Sequence, residues 1–551
     1  MNKIKFELVA LFCGAILAFS NLNARALLLE EINAAPAGLA KDYYIWRYAG
    51  EHKANKKTLK ALRSQITYYR VNVKKRFDSL LGEYVKKVQT CTEPLREMSP
   101  KCQKAVISVP FLAKMSAEER ADLAAFFKGK DRDVYGFVAD FGAPDAVEKA
   151  IKAGNAYAYL KYYAASKDKD EFLLAHELNA RVISNLNDYA TFKKILDETV
   201  ISDAHGDFKF KMLNFDANAT KGENAFWCGL NAVKLGVAEK AEAFFRSAAA
   251  SAKHGSERDK ANFWVYLTSG DKAALTVMLK SADINMYNLY ARELTGGGKV
   301  KIVVPTPKAK TLPNYDISDP FAWQRTRTKA AKLHGAELVK FASQFYTQNT
   351  LGEYCYIMER AHDFRVHYYP TPFMDVIGTN NPVRQALILA LARQESRFVP
   401  SAISSSYALG MLQFMPFLAN DIGKKKLQKP GFDQDDMFKP AVAYEFANYH
   451  LDYLEKYLQS PIFIAYAYNG GIGFTKRMLL GGKLFTKGGA NERFEPFLSM
   501  ELVPYAESRE YAKKVLANYV VYLAILHSNT KISRFFGNLS EPGVKEKFRS
   551  R

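Results

Sequence analysis

Asn381-Pro382-Val383-Arg384-Gln385-Ala386-Leu387-Ile388-Leu389-Ala390-Leu391-Ala392-Arg393-Gln394-Glu395 reads as a single helix that ends on a carboxylate. Asparagine is a favoured cap, and proline suits the first helical position, where no amide proton is missed. Leu387, Ile388, Leu391 and Ala392 form an apolar stripe, and Glu395 continues it at helical spacing. Apolar surroundings and the negative end of the helix dipole both disfavour an anion there. The position therefore predicts a carboxyl pKa pushed upward, as a general acid working near neutral pH requires. The alternative is a glutamate that turns to solvent or pairs with Arg393 or Arg397.

Three further segments follow in order. The first runs from Pro400-Ser401-Ala402-Ile403-Ser404 to Ala408-Leu409-Gly410-Met411-Leu412-Gln413-Phe414-Met415-Pro416. Then come Ala467-Tyr468-Asn469-Gly470-Gly471 and Glu501-Leu502-Val503-Pro504-Tyr505-Ala506-Glu507-Ser508-Arg509-Glu510-Tyr511. With Glu395-Ser396 they make four ordered motifs, far more specific than any one of them. The set resembles the lytic transglycosylases of bacterial cell walls, which carry a Glu-Ser pair, a Gly-Leu-Met-Gln motif closing on Met-Pro, Ala-Tyr-Asn-Ala-Gly, and Glu-x-x-Pro-x-x-Glu-Thr-Arg-x-Tyr. This chain departs from that pattern at Tyr407, where Gly is common, at Met411-Leu412, which inverts Leu-Met, at Gly470 for Ala, and at Ser508 for Thr. The likeness covers residues 373–530. Over the helical N-terminal part it rests on architecture alone.

The resemblance implies a mainly α fold in three parts: an N-terminal α-superhelix, solenoid or ring, over residues 27–297; a linker and small helical domain over 298–372; and a lysozyme-like catalytic domain, α with a minor β component, over 373–551. It also implies cleavage of the bond between N-acetylmuramic acid and N-acetylglucosamine, with Glu395 acting first as acid and then as base. The 2-acetamido group of the sugar would supply the second group that most glycosidases take from another carboxylate. Ser404, Gln413, Met415, Tyr468, Asn469, Glu501 and Tyr511 are the implied sugar-binding positions, although Met415 and Tyr468 also suit core packing and Glu501 could pair with Arg509. Asp433, Asp435 and Asp436 look like a solvated turn. A hydrolase of lysozyme type, or a wall-binding scaffold without activity, are the competing functions.

Composition agrees with an exported enzyme. The chain has 551 residues, 48% hydrophobic and 25% charged, which excludes intrinsic disorder and a polytopic membrane protein. Its 78 Lys and Arg against 57 Asp and Glu leave a formal charge of +21, which favours an anionic partner. Lys3 and Lys5, the apolar run Leu8 to Phe19, and Ala24-Arg25-Ala26 make residues 1–26 a signal peptide, which points to the periplasm. That location selects glycan strands of peptidoglycan as the partner rather than nucleic acid, with other cell-wall enzymes as a second candidate class. No later run is long enough for a membrane helix. Helices of ordinary length with short turns fill residues 27–297, and Ser116 with Glu119 forms a capping box. Gly296-Gly297-Gly298 and four prolines between 305 and 320 break that pattern, and Tyr369-Pro370-Thr371-Pro372 marks a second boundary. Cys91 and Cys102 bracket a proline-containing loop and would pair in an oxidising compartment, whereas Cys228 and Cys355 read as buried thiols. No cofactor or metal is implied.

Overall fold

The computed structural model describes residues 27–82, 91–488, 491–527, 530–546 and 548. The expected signal peptide lies outside them. The chain is mainly helical. Among the described residues the only sheet is a parallel pair of two-residue strands, Ile302–Val303 and His367–Tyr368. Contacts divide the chain into two units, one built from residues 27–82, 301–456 and 518–530, the other from residues 91–300, 457–517 and the C-terminal stretch from 531.

In the first unit the helix Pro382–Ser396 is central. Asn381 accepts from the amides of Val383 and Arg384, and Pro382 takes the first position. Ala386 through Ala392 are buried on every side, so the expected stripe is a fully enclosed core segment. A helix that is apolar all round is buried all round, and the small alanines let neighbours close in on the faces between the leucines. Each enclosed leucine contributes about 1.5–3 kcal/mol by leaving water. Tyr522 and Tyr444 donate to the carbonyls of Pro370 and Pro372, at 2.9 and 3.0 Å, which satisfies the backbone of the proline-rich crossing as it passes through the interior.

The N-terminal helix Leu39–Glu51 belongs to this same unit. Tyr43 donates to Asp435 at 2.5 Å, and Arg47 pairs with Asp433 and with Asp435, the latter at 2.8 Å. The Asp433–Asp436 segment is therefore not a solvated turn, since Asp435 is 2% exposed. Burial raises its carboxyl to about 6 although Arg47 pulls the other way. Local polarity suggests exposure there, and only a partner far away in sequence makes burial tolerable.

In the second unit, helices adjacent in sequence pack on one another. Gly222–Lys234 lies on Ala238–Ala250, which lies on Gly255–Ser269. Phe226, Phe245 and Trp264 meet between them, with Phe245 5.4 Å from each of the other two rings. Gly229 permits that approach, because a Cβ there would stand 2.5 Å from the Phe245 ring. The capping box at Ser116 opens the helix Ala117–Phe127 as its sequence predicts. Cys91 and Cys102 form a disulfide with Cα atoms 5.4 Å apart. Cys228 and Cys355 are buried thiols, and burial pushes both pKa values up.

Candidate active site

Glu395 occupies the last turn of the Pro382–Ser396 helix and is half-buried, at the point where the enclosed helix reaches the surface. The chain then turns sharply. Arg397 and Phe398 both adopt left-handed backbone conformations, φ 56° and 67°, at positions where glycine would be the ordinary choice. Ser396 donates to the carbonyl of Met411 at 2.8 Å and ties the helix end to the loop that follows.

The arginines on either side of Glu395 turn to another carboxylate. Arg393 Nη2 donates to Glu359 Oε1 at 2.7 Å, and Arg397 Nε donates to Glu359 Oε2 at 2.5 Å. Glu359 is 2% exposed and lies on the helix Leu351–Ala361. Burial would raise its pKa, but the two guanidinium groups outweigh that and hold it below the usual range. Arg393 is further fixed by the carbonyl of Tyr368 at 3.0 Å, by Asn518 Oδ1 at 3.1 Å, and by the face of Tyr369. Sequence alone offers no signal for Glu359, which lies outside every motif.

The loop 402–415 is held by its own backbone. Bridges join Ile403 to Leu409 and Leu409 to Phe414, giving the minor β component expected of the catalytic part. Gly410 has φ +76°, and a Cβ there would lie 2.1 Å from the carbonyl oxygen of Met437, so no other residue fits without moving backbone. Tyr407 is also left-handed, φ 66°, yet it is not glycine. Its buried ring packs 5.8 Å from Tyr43 and 5.2 Å from Trp46, contacts that offset the conformational penalty and that a glycine would lack.

Three of the expected sugar-binding residues lie in this loop. Ser404 Oγ accepts from the amides of Ser406 and Ala408 at 3.2 and 3.0 Å. Gln413 Nε2 donates to the carbonyls of Gly410 and Ala402 at 2.7 and 3.2 Å, which orients the amide and makes Oε1 its outward acceptor. Met415 is half-buried and precedes the helix Pro416–Asn420.

The other four belong to the second unit. Tyr468 and Asn469 end the helix Pro461–Gly470, both half-buried. Asn469 accepts from Ser508 Oγ at 2.5 Å and donates to Glu507 at 3.3 Å. Gly470 has the same neighbourhood: a Cβ there would meet the Phe474 ring at 2.7 Å and Ser508 Oγ at 2.8 Å, which accounts for glycine in place of alanine. Glu501 is 1% exposed and accepts from Lys513 Nζ at 2.8 Å and from Tyr287. Arg509, its expected partner, donates instead to the carbonyl of Val503 at 2.8 Å. Tyr511 is buried. Among the described residues no group of three or more His, Cys, Asp or Glu side chains is placed to hold a metal ion.

The chain is similar to known proteins over part of its length. Residues 374–482 match the family model described as Transglycosylase SLT domain. A Haemophilus influenzae protein provisionally named a soluble lytic murein transglycosylase is 29% identical over 176 residues, 31% of this chain and 28% of the relative. The soluble lytic murein transglycosylase of Escherichia coli K12 is 25% identical over 216 residues, 38% of this chain and 32% of the relative. The aligned part thus spans less than a third of the length of either relative. A crystal structure of the 70-kDa soluble lytic transglycosylase of Escherichia coli superposes with a TM-score of 0.48 at 15% identity, covering 92% of this chain and 84% of that one. The stretch that carries Glu395 and Gln413 is therefore identified as a transglycosylase SLT domain.

Proposed function

We propose that this protein cleaves the β-1,4 bond between N-acetylmuramic acid and N-acetylglucosamine in periplasmic peptidoglycan and leaves 1,6-anhydromuramoyl ends. The observation that carries the reading is the setting of Glu395. It is a half-buried carboxyl in the last turn of an enclosed helix, inside the stretch that matches the transglycosylase SLT domain.

Protonated Glu395 gives its proton to the glycosidic oxygen as the bond to the muramoyl C1 breaks. The 2-acetamido oxygen supports the positive charge at C1. The Glu395 carboxylate then takes the proton of the C6 hydroxyl while O6 bonds to C1, so the carboxyl is restored and no water is consumed. Serving as acid and then as base requires of one group a pKa near the working pH. Gln413 Oε1 and Ser404 are the proposed polar contacts for the sugar beside the loop, and Met415 an apolar one. Tyr468, Asn469, Glu501 and Tyr511 are assigned sugar-binding or shaping roles by the family motif. The net charge of +21 suits a polymer that bears carboxylates.

Digestion of purified sacculi followed by mass spectrometry tests the proposal. The expected products are muropeptides lighter by one water than their reducing counterparts. Reducing ends would instead assign a hydrolase. Glu395→Gln removes the proton donor and is expected to lower turnover by about 10²–10⁴-fold while sacculus binding persists; full activity in that variant would dismiss Glu395 as the acid.

A further inference from the structure

We propose that Glu359 is a positioning residue for Glu395, acting through a two-arginine clamp on the end of the catalytic helix; this rests on the reading of Glu395 as the acid. Four observations converge on it. Arg393 and Arg397 lie two residues before and two residues after Glu395, and each donates to a different oxygen of Glu359. The same carboxylate accepts the amide of Tyr368 at 3.2 Å, which links the clamp to the short parallel sheet. The helix end is closed by Arg397 N on the carbonyl of Arg393 and Phe398 N on the carbonyl of Ala392, at 3.2 and 3.4 Å, the pattern in which glycine is ordinarily left-handed. About two turns before Glu359 on the same helix, a Cβ on Gly352 would sit 2.5 Å from the carbonyl oxygen of Phe398, so the Leu351–Ala361 helix presses directly on the turn after Glu395.

An arginine held in the left-handed region is unfavourable unless its side chain gains something there. Glu359 supplies that gain. A glycine at 397 would relax the backbone but release one arm of the clamp, and the turn would be free to carry Glu395 away from the sugar bridge. With Ser396 tied to Met411 on the opposite side, the carboxyl-bearing turn is bracketed from two directions. The helical segment between the linker and the catalytic domain thus sets the aim of the acid.

Kinetics on soluble uncrosslinked glycan strands test this, with wild-type turnover to anhydro products as the first requirement. Glu359→Gln keeps the shape and removes the charge. Arg397→Gln loses one arm at a side chain that is 37% exposed, and so spares the interior. Because small displacements of a catalytic group cost up to about a hundredfold, kcat is expected to fall roughly 10–100-fold in Glu359→Gln and somewhat less in Arg397→Gln, with KM changed by less than about threefold. In the double variant the losses should be far from additive, since both act through one contact. A structural defect alone would lower the melting temperature and the active fraction, so kcat is taken per folded, active enzyme, where a merely structural role leaves it unchanged. If Glu359→Gln does not fold, Arg397→Gln decides: a folded Arg397→Gln protein with wild-type kcat overturns the clamp. A wild-type chain without turnover removes the reading of Glu395 and the clamp together, whereas an active wild type with unaffected variants removes the clamp alone.

Discussion

The loop 402–415 and the segment 467–511 carry motifs of the same family, but they are held in different ways. In the loop, backbone amides and carbonyls fix Ser404 and Gln413, and Gly410 is dictated by a carbonyl oxygen of the main chain. In the later segment, side chains fix side chains: Asn469 with Ser508 and Glu507, Glu501 with Lys513 and Tyr287. Lys513 also contacts Glu510, which the surrounding cations hold well below the usual carboxylate range even though burial opposes them. A backbone-held motif tolerates changes around it and fails abruptly at its glycine. A network-held motif transmits each change to its partners. Motif matching treats the two alike, and physical chemistry separates them.

The difference can be pressed hardest at Glu501. Glu501→Gln leaves the buried Lys513 ammonium with only part of its counter-charge, so stability should fall by about 3–5 kcal/mol, read as a lower denaturant midpoint. An unchanged midpoint would place Glu501 outside the network that we describe. The contrast sharpens at Glu353, a buried acid in the first unit that accepts from Tyr315 at 3.4 Å. Burial raises its pKa from 4.5 to about 8. The folded protein therefore binds this proton at pH values where the unfolded chain has lost it, and stability declines as pH rises from about 4.5 through 8. Replacing it by Glu353→Gln should remove a decline on the order of 3 kcal/mol between pH 5 and pH 8, measured as the difference in pH slope of unfolding free energy between variant and wild type. Equal slopes would mean that the carboxyl is already ionised.

Smaller effects separate the two glycines. Gly410→Ala forces a Cβ onto a main-chain oxygen in a left-handed conformation and should destabilise by about 2 kcal/mol or more. Gly470→Ala meets only side chains, those of Phe474 and Ser508, which can give way, and should destabilise by about 1 kcal/mol. Thermal unfolding of both variants is sufficient, and a reversed order would contradict the distinction between backbone-held and network-held motifs.

Much of this was legible in the residues. The Asn381-Pro382 cap, the buried face of the helix that ends on Glu395, and the capping box at Ser116 are local, and local rules find them. What escaped is non-local. The enclosure of the Pro382–Ser396 helix on all sides depends on neighbours that its periodicity cannot name. Asp435 looks solvated until Arg47 and Tyr43 arrive from the first described helices. Tyr407 looks like a departure from glycine until Trp46 and Tyr43 supply an aromatic bed. Glu359 has no motif at all, and local reading offers the two arginines that it pairs with only as alternative partners of Glu395.

The partnership of the Leu39–Glu51 helix with Tyr407, Asp433 and Asp435 has a consequence for biogenesis. This helix leaves the ribosome long before the residues that bury it, so Tyr43 and Arg47 wait through most of synthesis for Tyr407, Asp433 and Asp435. Loop closure over such a separation slows folding and exposes apolar surface meanwhile. A chain wired this way can complete this part of its fold only after residue 435 has been made.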